Sequence, residues 1–185
     1  MRTKRILFCV LAVALMFCML SISAFADETS QSESLAEMIA SAQENGGYVL
    51  VDRPVSDVST VTIPAGVTVD VKEGAEINTR ITVSGGTLNV SGGSINNESG
   101  YAVYSSKSAS TICITGGTIT GKLYILGNTS ITGGRFSADP SKYVSTGYQA
   151  EQEDSLYVVK PISYEDDLET YMEDQAAAIV AYADS

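Results

Sequence analysis

From Gly47 onward, apolar side chains recur at every second position in runs of a few residues, the period of a strand with one face buried. In Val67-Thr68-Val69-Asp70-Val71 three valines share one face, with Thr68 and Asp70 on the other. The same alternation predicts strands over 48–51, 58–63, 80–83, 87–90, 101–104, 111–115, 122–126 and 130–132. Ser, Thr, Asn and Gly fill the gaps, and Pro64-Ala65-Gly66 reads as a turn.

Outside these runs the period changes. Leu35, Met38, Ile39 and Ala42 fall at i, i+3, i+4 and i+7, one stripe of a helix predicted over 32–45. Ser30 or Ser32 is placed to cap it, and Asn45-Gly46-Gly47 ends it. A second, acidic helix is predicted over 161–185, with Leu168, Tyr171, Met172, Ala176, Ile179 and Tyr182 on or near one face. Glu165-Asp166-Asp167 suits the start of that helix, where the dipole favours acid. The alternative for this segment is a loosely attached acidic tail.

One phrase returns four times: Val83-Ser84-Gly85-Gly86-Thr87-Leu88, Val90-Ser91-Gly92-Gly93-Ser94-Ile95, Ile114-Thr115-Gly116-Gly117-Thr118-Ile119 and Ile131-Thr132-Gly133-Gly134-Arg135-Phe136. A repeated strand-turn-strand unit marks a chain that stacks on itself. Short strands with tight turns suit an antiparallel sandwich or barrel as well as a parallel β-helix. Three features favour the coil: Asn-Gly hairpin turns are nearly absent, the phrase keeps its polarity, and β-branched apolar residues alternate with Thr, Ser or Asn. The fold class is therefore all-β, a short right-handed parallel β-helix with room for about five coils. A β-helix has open ends that need covering. The first helix is expected to cap one, and the second to cap the other or lie along the side.

Composition adds location and exclusions. Arg2, Lys4 and Arg5 precede an apolar run that ends in Ser23-Ala24-Phe25-Ala26, the layout of a secretory signal over 1–26. The run is shorter than the roughly 20 residues of a membrane span. Phe17 before Cys18 argues against a lipoprotein signal. The β-helix domain then covers 27–160, and the protein is secreted or held at the cell surface, with no membrane insertion after cleavage. The signal takes three of the 11 basic residues and none of the 22 acidic ones, leaving eight against 22 and a charge of −14. So acidic a chain repels nucleic acid. With no His anywhere, His-based triads and His-ligated zinc are excluded. Cys113 is the one cysteine beyond the signal, so no intramolecular disulfide forms, and between Ile112 and Ile114 it is expected to point outward.

The stretch from Ser34 to Ile77 reads as helix, Asn45-Gly46-Gly47, strand, then Val61-Thr62-Ile63-Pro64-Ala65-Gly66-Val67-Thr68-Val69. It resembles the opening of pectate-lyase-like right-handed parallel β-helix proteins. The phrase Gly133-Gly134-Arg135-Phe136-Ser137-Ala138-Asp139-Pro140 is similar to one that ends β-helical repeats in adhesin-like secreted proteins of Gram-positive gut bacteria. The resemblance implies a secreted or surface protein. Some relatives are polysaccharide lyases or hydrolases with a basic residue and calcium-binding or paired Asp residues on one outer face. Here the outward strand positions include Thr82, Asn89, Cys113 and Tyr124, with no carboxylate pair of the kind hydrolysis needs.

No cofactor, metal or catalytic set is read from the chain. Asp52, Arg53 and Asp57 around Pro54 form a small ionic site or a solvated turn, and Asp70, Glu73 and Glu76 match no calcium loop. Tyr101, Tyr104 and Tyr124, with Asn89, Asn96 or Asn97 as hydrogen-bonding groups, are the candidate ligand-binding residues, because aromatic faces stack on sugar rings. Strict alternation in Tyr101-Ala102-Val103-Tyr104 puts the two tyrosines on opposite faces. The expected function is a non-enzymatic, adhesin-like surface module whose partner is an extracellular glycan or a host or bacterial surface protein. The alternative is a carbohydrate-binding or polysaccharide-degrading β-helix.

Overall fold

The computed structural model describes residues 33–45 and 47–163, together with Met172. The signal predicted over 1–26 and the acidic run 165–167 lie outside the described residues. So does the predicted second helix, apart from Met172, which is helical and exposed.

Helix α1 (Leu35–Glu44) is the first described element and lies against β1 (Tyr48–Val51) and β2 (Val61–Pro64). Its buried residues are Leu35, Ile39 and Ala42, the expected stripe. The cap is Ser34 rather than Ser30 or Ser32. The Ser34 hydroxyl accepts from the Glu37 N–H at 3.1 Å, and the Glu37 side chain answers the Ser34 N–H. Asp57 adds a second cap from the loop of the first coil. Its carboxylate accepts from the N–H groups of Leu35 and Ala36 at 2.5 and 3.1 Å, two donors that a helix start leaves unpaired.

The body is a β-solenoid of about four turns with parallel sheets, one fewer than the five coils expected. One wall stacks β1, β3 (Thr68–Val71), β6 (Thr87–Val90), β8 (Thr111–Ile114) and β10 (Asn128–Ile131) in that order. The register is strict, so Val51, Val71, Val90, Ile114 and Ile131 form one inward column. All five are buried.

The second sheet runs β2, β5 (Ile81–Ser84), β7 (Ser94–Ser105), β9 (Thr118–Ile125) and β11 (Arg135–Phe136). Strands β7 and β9 are long enough to serve two walls. Their first halves pair with each other and with β4 (Glu76–Ile77) or β11, stacking Ile77, Ile95, Ile119 and Phe136. The second half of β7 pairs with β5 on one side and with the second half of β9 on the other. Each fully buried Val or Ile in these columns contributes roughly 1.5–3 kcal/mol by leaving water.

The four Gly-Gly phrases are not equivalent. Three of them turn the same corner, since Ser94 pairs with Thr118 and Thr118 with Arg135. In these three the second glycine carries the positive φ: Gly93 at 68°, Gly117 at 80° and Gly134 at 101°. The phrase at Gly85-Gly86 turns the corner between β5 and β6, and there the first glycine carries it, at 92°. Sequence likeness hid a difference in place.

The far end is closed by an element that alternation did not predict. After a 3-10 turn over Ser141–Tyr143, β12 (Tyr148–Glu153) and β13 (Leu156–Pro161) form an antiparallel hairpin, and β13 pairs antiparallel to β11. Val159 is buried, and Tyr143, Tyr148, Ala150 and Tyr157 pack on the core. Lys160 bridges Glu151 and Glu153 across the hairpin at 2.5 and 3.8 Å, leaving a charged edge strand that discourages further pairing.

Candidate functional site

The site grows from one irregularity in β7. Ala102 and Val103 are both fully buried, and the pairing with β9 shifts register between Tyr101 and Val103. The extra residue is a β-bulge. It corrects the expectation of strict alternation: with Ala102 and Val103 both turned inward, Tyr101 and Tyr104 emerge on the same outer wall. Tyr124 joins them because it pairs with Tyr104 in the next coil. Stacked coils are about 4.8 Å apart, so the rings of Tyr104 and Tyr124 lie nearly parallel, 16° apart in plane with centroids at 5.2 Å.

Tyr101 meets this stack at an angle. Its centroid is 5.7 Å from Tyr104 at 58° and 6.0 Å from Tyr124 at 69°. The other neighbour of Tyr104 is Arg80, whose guanidinium carbon is 5.8 Å from the ring centroid. Tyr104 is thus held between Tyr124 and Arg80 and has little free ring area. Tyr101 is the most exposed of the three, at 37%.

Tyr101 lines a groove of about 530 Å³ together with Asn78, Thr79, Arg80, Asn97 and Ser99, and Val58 stands fully out at its rim. Among the described residues no carboxylate lines it. Two asparagines are fixed by their own hydrogen bonds. Asn97 donates to the Tyr101 carbonyl at 2.8 Å, and Asn96 donates to Asn78 at 3.0 Å, one coil across. The Arg80 side chain makes no hydrogen bond or ion pair with any described residue, and its Nε is buried without a partner.

The remaining candidate, Asn89, is elsewhere. It sits on the β1–β3–β6 wall and donates to Asp70 at 2.7 Å. Asp70 also accepts from the Tyr48 hydroxyl at 2.9 Å, which raises the Tyr48 pKa above its ordinary value because the bond holds the neutral phenol beside a carboxylate. Asn89 is therefore committed to a surface ladder and does not serve the tyrosines. Cys113 follows Asn89 on that wall, half-exposed and free.

The acidic candidates separate as well. Arg53 pairs with Glu33 at 2.9 Å and lies 3.7 Å from Asp52, while Asp57 serves α1. Asp70 and Glu76 occupy different walls, and no group of three acidic or cysteine side chains among the described residues could hold a metal ion. Arg80 and the groove were missed in the sequence because Asn78, Arg80 and Asn97 come from two coils and share no motif.

No protein-family model matches the chain, and no curated protein or solved structure is significantly similar to it.

Proposed function

We propose that this chain is an exported, non-enzymatic surface module that binds an extracellular glycan in the groove beside Tyr101. The observation that carries the reading is the angle of that ring. Tyr104 and Tyr124 spend their faces on each other and on Arg80, whereas Tyr101 stands across the stack at the edge of a polar groove. An aromatic wall beside fixed amides suits a sugar, which offers an apolar ring face and a rim of hydroxyls. The described lining of the groove is uncharged apart from Arg80, which suits binding, whereas hydrolysis needs a pair of carboxylates.

The test is a broad glycan array probed with the exported chain and with Tyr101→Ala. The reading expects reproducible binding to one glycan class and a loss of roughly tenfold or more in the variant, in line with the cost of losing a buried aromatic contact. An array that stays blank for folded protein, or binding that Tyr101→Ala leaves intact, would refute it.

A further inference from the structure

We propose that Arg80 makes this groove selective for glycans that carry an acid group, a carboxylate or a sulfate ester. The inference rests on the glycan reading and narrows it. An arginine offers five N–H donors in a planar fork suited to two oxygens of one anion. Arg80 uses none of them within the described protein, and one, Nε, is buried without an acceptor.

In a chain where 22 acidic residues face 11 basic ones, Arg53 pairs with Glu33 and Lys160 with Glu151 and Glu153, whereas Arg80 has no such pair and its Nε is the one side-chain N or O atom among the described residues that is buried without a partner. A buried unpaired donor costs stability, so the bare protein is worse off for keeping it. The Tyr104 ring holds the guanidinium in place without satisfying its hydrogen-bonding capacity, since a ring face attracts charge but accepts no strong hydrogen bond.

Charge around the platform adds to the argument. Tyr101 pairs in register with Lys122, which is exposed on the next coil. Arg80 on one side and Lys122 on the other set two positive groups about Tyr101. An oxyanion on a bound sugar would take up donors that the protein leaves unused, and the ring would align the sugar that carries it.

The experiment measures affinity of the full exported chain for a panel of acidic oligosaccharides, each beside its carboxyl-reduced or desulfated twin. The expected result is at least one acidic glycan bound roughly tenfold or more tightly than its neutral twin, the scale of a charge-assisted contact. Whether the reduced or the desulfated twin loses binding identifies the acid group. Equal binding of twins overturns the role of Arg80 and leaves glycan binding standing. Binding of neither overturns both.

Arg80→Met gives a second readout. The discrimination between twins should vanish while the melting temperature holds or rises, because the orphaned donor is gone. A variant that melts lower and still discriminates would assign Arg80 to structure alone.

Discussion

Two serines are fully buried in this solenoid, and they separate burial from hydrogen bonding as causes of stability. The Ser110 hydroxyl donates to the Val83 carbonyl and accepts from the Gly85 N–H, both at 3.0 Å. The ladder between β5 and β7 registers only Ile81 with Val103 and Thr82 with Tyr104. Ser110 thus bonds the backbone where that ladder stops. Ser105 is equally buried, but among the described residues its only hydroxyl contact is to the Lys107 carbonyl at a long 3.4 Å. Ser110→Ala strands a buried donor and a buried acceptor at about 1–2 kcal/mol each, so about 2–4 kcal/mol in total. For a domain of this size that lowers the melting temperature by roughly 5–15 °C. Ser105→Ala should cost less than about 1 kcal/mol, since it gives up one weak bond. Urea unfolding followed by far-UV circular dichroism measures both, with slopes compared to confirm that the unfolded state is unchanged. If the two variants lose equal stability, the Ser110 bonds are not the cause and the argument fails.

Other expectations follow from the same geometry. Gly66→Ala meets nothing within 4 Å and suffers only the backbone penalty of φ +81°, about 1–2 kcal/mol. Gly93→Ala would set a Cβ 2.6 Å from the Lys72 carbonyl and 2.7 Å from that of Ala75, and chemical denaturation should show it at least about 1–3 kcal/mol worse than Gly66→Ala. Asp57→Ala uncaps α1 from outside the helix and should cost about 1–2 kcal/mol, with Asp57→Asn recovering part of it in the same assay. Asp139 has its pKa lowered by accepting from the Ser141 hydroxyl and N–H, so its contribution is present above the ordinary value of 3.8 and fades as pH falls through the folded value. Melting curves across that acid range should slope less in Asp139→Asn. Tyr48 behaves in the opposite sense: its raised pKa means the Asp70 contact helps at neutral pH and is lost as pH climbs beyond 10 through the folded value. Tyr48→Phe should flatten that alkaline limb.

The sequence showed the main wall of the solenoid because its strands alternate cleanly and their inward residues are β-branched or Leu. The wall through Ile77, Ile95, Ile119 and Phe136 was hidden, since Glu76–Ile77 and Arg135–Phe136 are too short to show any period. The closing hairpin was hidden for another reason. Its loop is Asp154-Ser155, with Asp154 at φ 56°, where the usual mark is a glycine. Most residues of β12 are polar and partly exposed, which reads as loop. Val58 was read into a strand by its apolar type and stands 98% exposed beside the groove instead. The three tyrosines were visible as a set, but their shared wall depends on a bulge that no local pattern announces.

The shared corner of Gly93, Gly117 and Gly134 divides the molecule into interchangeable lengths. A segment cut at one such corner and rejoined at the next enters and leaves the coil at the same point with the same backbone turn. Copying residues 94–117 would insert one more storey. That storey carries Tyr101 and Tyr104, so the aromatic column and the scaffold lengthen together. In such a molecule the length of the aromatic column is set by how many floors are built, not by redesigning any one of them.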